Sequence, residues 1–253
     1  MTQARLITIA ISHYCEKARW VLDATGLPYR EEAHAPVLHR RATRAVGGTT
    51  VPVLVDGNDV ACDSVDIARH AERLAPPARR LVPEEPQARE EVLVLEGELS
   101  KTLGVDARLL AYWFMLRDME VARPFVGRMM RVRSPALQRV VVPLFRALIF
   151  RAYGVSREAA VRAEARTRAT FERLGGRIEE GGYLVGGRFS LADLTLASLA
   201  SPLLGPPEHP ITGKRTLAVA PGLAALRGEL VETPVGRHAL RMYREHRGVK
   251  RGA

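Results

Sequence analysis

Ser12, His13, Tyr14 and Cys15 stand in succession between an apolar run, Leu6 to Ile11, and a helical pattern that begins at Glu16. Two hydroxyls, an imidazole and a thiol within four residues can donate protons, hold an anion or attack an electrophile. No histidine–carboxylate pair is visible beside Ser12 to activate it as a nucleophile, which argues against a hydrolase. Ser12 occupies the position of a helix N-cap, and the free backbone N–H groups of a first turn favour negative charge by roughly 0.3–1 kcal/mol. A thiolate or carboxylate ligand suits such a junction; plain capping, with nothing bound, is the competing reading.

The elements that must hold these residues follow from local pattern. Leu6 to Ile11 is rich in β-branched residues over a strand's length, and Glu16 to Ala24 places Ala18, Val21, Leu22 and Ala24 on one face of a helix that ends at Gly26. In Thr50-Val51-Pro52-Val53-Leu54-Val55-Asp56-Gly57 the proline denies one ladder donor, so it belongs at a sheet edge or at a strand's first residue. Asp56-Gly57, with Asn58 beside it, predicts a tight hairpin turn into a further short strand. Asp63-Ser64 opens a helix running to about Leu74, with Val65, Ile67, Ala68 and Ala71 on its buried side and Ser64 as its cap. That second helix start is also suited to a ligand carboxylate.

Beyond Ala75-Pro76-Pro77 and a turn-rich stretch to Pro86, strand signals vanish and helical periods take over, which sets a boundary near residue 80. Helices are predicted over Gln87 to Lys101, Val105 to Leu116 and Ser156 to Glu180, the last stopping at Gly181-Gly182, with Pro124 and Pro135 as punctuation between them. Phe189-Ser190-Leu191-Ala192-Asp193-Leu194 reads as a capping box with Phe189 stapled onto Leu194, and its role is folding. The apolar segment Val140 to Phe150, flanked by Arg128, Arg131, Arg133, Arg139 and Arg151, is too short and too charged to span a bilayer. A buried helix is the first expectation for it, and peripheral contact with an anionic membrane the lesser one.

Taken together, Ser-x-Tyr-Cys-x-Lys-Ala-Arg at 12–19, Val-Pro-Val-Leu at 51–54 and Cys-Asp-Ser-Val-Asp-Ile at 62–67 resemble, in order and spacing, the glutathione-binding motifs of the glutathione S-transferase family. The resemblance is strong over about residues 5–75 and returns at Ser190 to Asp193. It implies an N-terminal thioredoxin-like domain (α/β, 1–78), a linker (79–87) and an all-helical domain (88–253) that forms a co-substrate cleft. Serine where glutaredoxins carry their attacking cysteine points to thiolate transfer and away from disulfide exchange.

By that resemblance Ser12 is the catalytic residue, giving a hydrogen bond to the sulfur of glutathione. With the helix dipole it would lower a thiol pKa from about 8.5 by roughly two units. Tyr14 is the alternative thiol donor. The family's proline before the strand is cis, and the residue ahead of it, Val51, offers its backbone to the cysteinyl part of glutathione. Asp63 and Ser64 would hold the γ-glutamyl end, and Arg40 or Arg41 the glycyl carboxylate. Tyr112, Trp113 and Met115 are candidates for the wall of a hydrophobic co-substrate site, against the commoner role of an aromatic cluster as core. Cys15 is expected to be a packed residue, with a low-pKa thiol as the alternative. His13 departs from the proline of many relatives.

Composition narrows the classes further. Among 253 residues, 47% are apolar, an ordinary globular share, and only Cys15 and Cys62 occur, which excludes a disulfide framework and a cysteine-type metal cluster. A net charge of +10 comes almost wholly from arginine, since all but four of the 38 basic residues are arginine, and no nucleic-acid-binding motif accompanies them. The N-terminus lacks a signal-peptide pattern, so the cytoplasm is expected. The expected protein is a glutathione transferase, a homodimer that uses glutathione as co-substrate, needs no metal and acts on a small hydrophobic electrophile. Isomerase or dehalogenase chemistry is a variant on the same site, and a non-catalytic glutathione- or ligand-binding protein is the alternative. Nucleic acid and membrane are not expected partners.

Overall fold

The computed structural model describes residues 3–213 and 219–248. Its first domain is thioredoxin-like. Strand β1 (Ala4–Thr8) runs through helix α1 (His13–Thr25) to β2 (Tyr29–Ala33), followed by α2 (His39–Arg44), the hairpin β3 (Val53–Asp56) and β4 (Asp59–Ala61), and α3 (Ser64–Leu74). The sheet order is β2-β1-β3-β4, with β1 parallel to β2 and antiparallel to β3. Leu6 and Ile7 point to opposite faces yet both are buried, because Leu6 packs in the core shared with α1 and α3 while α2 and the turn after it lie against β1 and Val53 on the other side.

Local chemistry explains the boundaries. β1 stops at Thr8, short of the expected Ile11, because the Ser12 N–H turns back to the Ile9 carbonyl at 3.0 Å and redirects the chain into α1. Gly26 ends α1 in the left-handed conformation at φ 80°. Gly57, at φ 60°, is the first of two loop residues in the β3–β4 hairpin, where that turn requires a residue most side chains resist. At α3 the capping side chain is Asp63, and not Ser64: its carboxylate accepts from the Val65 and Asp66 N–H groups, both at 2.8 Å. Ser64 lies inside the helix and is buried.

The second domain is all-helical: α4 (Pro86–Lys101), α5 (Leu103–Arg117), α6 (Met119–Met129), α7 (Pro135–Tyr153), α8 (Arg157–Gly181), α9 (Leu191–Leu204), α10 (Pro221–Val231) and α11 (Pro234–His246). Pro124 does not break the chain but lies within α6, and Pro135 takes the first turn of α7, where its missing N–H has no helical partner to lose. α9 is buried on almost every side and packs against α1, α4, α5 and α11, so one apolar helix joins the two domains. Asp193 does more than cap it. Its carboxylate accepts from Ser190 N and Oγ, from Leu184 N and from His238 Nε2, all within 2.9 Å.

Charged residues of α1 complete the junction. Lys17, fully buried, pairs with Glu96 of α4 and donates to Ser100 Oγ at 3.0 Å. Arg19 bonds Glu16, Glu31 and the Ala10 carbonyl, and Arg247 reaches Glu16 and Asp23, each at 2.7 Å. The segment after α11 is thereby clamped onto the helix that Ser12 begins.

Candidate functional site

Three segments reach the same end of the sheet. The register pairs Ile7 with Val53 and Leu54 with Ala61, so the chain leaving β1 toward Ser12, the Val51–Pro52 peptide entering β3 and the Cys62-Asp63-Ser64 turn leaving β4 meet there. The Val51–Pro52 bond is cis and Pro52 is buried directly ahead of β3, the strand-start position that costs no ladder bond.

Ser12 caps α1 from an extended backbone (φ −72°, ψ 125°), its Oγ accepting from the Cys15 N–H at 3.4 Å. As an acceptor in that bond the hydroxyl does not spend its own proton on the cap, and the Cys15 thiol lies within its hydrogen-bond reach. The side chain is half-buried, and the first-turn N–H groups around it carry the positive end of the helix dipole.

Its neighbours are committed elsewhere. His13 Nε2 donates to the Gly104 carbonyl at 2.8 Å, which fixes the proton on Nε2 because a carbonyl can only accept. Burial pushes the His13 pKa down to about 3, with Arg108 and His209 adding to the fall and the Gly104 bond opposing it. The imidazole is therefore neutral, and what departs from the family's proline is a tie to the second domain. Tyr14 gives its hydroxyl proton to the Ser100 carbonyl at 2.7 Å, and burial raises its pKa. Gly104 makes room for that bond: a Cβ there would stand 2.5 Å from the tyrosine oxygen. Tyr14, expected as a contact of glutathione and as the alternative thiol donor, thereby links α1 to α4 of the second domain. Burial raises the Cys15 thiol to about 11, so it is a packed residue and not a thiolate.

Of the residues expected around glutathione, Val51 is half-buried beside Pro52, Asp63 is exposed at its helix start with Ser64 buried behind it, and Arg40 is exposed in the first turn of α2. The buried Lys17 ammonium lies close enough to Asp63 to feel its charge.

On the helical side, Gly104, Arg108 and Tyr112 recur every fourth residue along one stripe of α5. Arg108 places its guanidinium carbon 5.6 Å from the centre of the Tyr14 ring and 4.5 Å from that of Tyr153, and the Tyr153 and Tyr112 rings are 5.3 Å apart. A cation between aromatic faces thus continues from the α1 first turn outward. Arg108 escaped the sequence reading; the four-residue spacing from Gly104 to Tyr112 is the signal that could have found it. Tyr112 stands in this row of rings. Trp113 is partly buried, with Arg117 5.0 Å from its ring centre, and Met115 is buried in the main core.

Two family models match the chain: "Glutathione S-transferase, N-terminal domain" over residues 6–80 and "Glutathione S-transferase, C-terminal domain" over residues 132–215. No curated protein matches it in sequence. Among solved structures it is similar to the β-etherase LigF from Sphingobium sp. strain SYK-6, at 18% identity and TM-score 0.61, covering 95% of this chain and 99% of that one. A theta class glutathione S-transferase from Xanthomonas axonopodis pv. citri with glutathione bound aligns at 19% identity and TM-score 0.56, over 95% and 98% of the two chains. FzlA from C. crescentus aligns at 16% identity and TM-score 0.52, over 95% and 92%. At these identities the likeness is one of fold.

Proposed function

This chain belongs to the glutathione S-transferase family, and from that premise we propose that it binds glutathione at the α1, β3 and α3 junction and transfers its thiolate to a hydrophobic electrophile. Ser12 donates its hydroxyl proton as a hydrogen bond to the sulfur, and the α1 N-terminus adds its partial positive charge. Both favour the thiolate over the thiol, so the sulfur and not Ser12 is the nucleophile. The Val51 backbone receives the cysteinyl part of the tripeptide, Asp63 and Ser64 the γ-glutamyl end, and Arg40 the glycyl carboxylate.

One observation supports this reading: the Ser12 hydroxyl caps α1 as an acceptor and so does not give its proton to the cap, while the protons of His13 and Tyr14 go to carbonyls of the second domain. His13 is the feature that favours a binding-only protein, and its tie to Gly104 gives it a packing role compatible with turnover. The electrophile lies along Arg108, Tyr112 and Tyr153, where a cation and aromatic faces suit an aromatic substrate that carries or develops negative charge.

Ser12→Ala tests the assignment. The bound thiol should titrate roughly one unit higher by ultraviolet thiolate absorbance, since the helix dipole remains, and kcat/KM toward aryl halides, epoxides or unsaturated carbonyls should fall about threefold or more at neutral pH. Unchanged titration and unchanged transfer would remove Ser12 from the chemistry. Arg108→Gln should slow a carboxylate-bearing aryl halide more than its uncharged analogue, and equal slowing would show that the guanidinium does not read charge.

A further inference from the structure

Helix α7 is apolar on both sides. Val142, Phe145 and Ile149 are buried against Leu116, Ala122 and Val126 of α5 and α6. On another face Leu137, Val140, Leu144 and Leu148 are 51, 67, 70 and 44% exposed. Their spacing of three, four and four residues keeps them on one ridge, about 17 Å long at the rise of an α-helix. The expectation of a buried helix holds for the inner face only.

The charge around this ridge has one sign. From Val121 to Arg157 the chain carries eight arginines and neither aspartate nor glutamate. Arg128, Arg131, Arg133, Arg139 and Arg151 are all exposed, and among the described residues none of these five makes an ion pair. Arg151 follows Leu148 by one turn on the ridge itself. No helix among the described residues is long and apolar enough to cross a membrane.

We propose that α7 lies in the plane of an anionic lipid surface, with Val140 and Leu144 entering the acyl boundary and the surrounding arginines meeting headgroup phosphates. An exposed ridge of leucine and valine on a helix whose other exposed positions and preceding segment carry arginine is what an interfacial helix presents. A second copy of this chain fits poorly, because a self-complementary contact would set the same arginines against one another without an acid in the segment to offset them. An acidic protein answers the charge but must also supply a groove for a protruding ridge, whereas a fluid bilayer yields to it.

The experiment is flotation of the full chain with vesicles of phosphatidylcholine alone or mixed with phosphatidylglycerol, at low and high salt. Wild type should float with the anionic vesicles only, at low salt more than at high. The double variant Val140→Ser/Leu144→Ser, with its circular dichroism unchanged, should bind at least tenfold more weakly. Failure of wild type to float overturns the proposal, as does equal flotation of the double variant, which would assign the attraction to general charge. Retention on an immobilised acidic polypeptide through Val140 and Leu144, without flotation, would assign the face to an acidic protein instead. Concentration-dependent self-association abolished by the same variant would assign it to a second copy.

Discussion

Charges are treated in opposite ways by two regions of this molecule. In α1, Glu16, Lys17 and Arg19 are buried, and each meets an opposite charge: Arg247, Glu96 and Glu31 among them. Around α7, Arg128, Arg131, Arg133, Arg139 and Arg151 are exposed and stand without ion pairs among the described residues. A charge taken out of water must be paired, so the first set belongs to the packing of the two domains. A hydrated arginine costs little to leave unpaired and stays available to an anion from outside. Pairing thus separates charges that hold the fold from charges that await a ligand.

The comparison breaks most readily at Lys17. Glu96→Ala would leave a buried ammonium without its paired carboxylate, hydrogen-bonded to Ser100 Oγ, and removing one member of a buried pair costs about 3–5 kcal/mol. Denaturant unfolding should show that loss, while Lys17→Met/Glu96→Leu, which removes both charges, should recover most of it. Arg139→Ala, by contrast, should stay within about 0.5 kcal/mol of wild type. Equal losses at Glu96 and Arg139 would mean that burial does not divide the two sets.

Acid probes the same junction through His13. Its folded pKa is about 3 against an ordinary 6.5, so between those values the unfolded chain binds a proton that the folded chain refuses. Unfolded-state binding of more protons means that stability rises with pH, and it therefore falls on acidification through this window by about 1.4 kcal/mol per unit at most. Urea unfolding at pH 7 and pH 5 should show a slope that His13→Gln reduces, since the amide can still donate to Gly104 but does not titrate. An unchanged slope in the variant would place the acid sensitivity at another group.

What could be read from the sequence was what neighbours along the chain decide. Ser12 as a cap, Gly26 as a stop and Gly57 in a hairpin each answer to residues within four positions. The Ser64 cap was missed by one residue because Asp63 and Ser64 are both good caps, and only the backbone conformation chooses between them. His13 and Tyr14 were illegible for another reason: their partners, Gly104 and Ser100, are 91 and 86 residues away. Lys17 was passed over because lysine is ordinarily a surface residue, and nothing local announces Glu96. In α7, large apolar residues recur on both faces, so hydrophobic period could not tell the packed side from the open one.

Gly104 sharpens the contrast at a smaller scale. Gly104→Ala puts a methyl 2.5 Å from the Tyr14 oxygen, in a helix where alanine is otherwise preferred over glycine. Crowding should win, with a loss of about 1–3 kcal/mol in denaturant unfolding. The second substitution Tyr14→Phe, which removes the crowded oxygen, should return part of it. A gain in stability from Gly104→Ala alone would show that the domains separate easily there.

The smallest expected effect lies on α7, and its smallness is informative. Leu144 is 70% exposed, so it is hydrated nearly as well in the folded chain as in an unfolded one, and its apolar surface contributes little to folding. Leu144→Ser should therefore change the unfolding free energy by less than about 0.5 kcal/mol, measured at several protein concentrations. A larger loss that grows with concentration would mean that a second copy covers the ridge and that its exposure belongs to the single chain alone. A near-zero effect leaves Leu144 with no part in holding the fold, which is the condition a membrane-facing residue must meet.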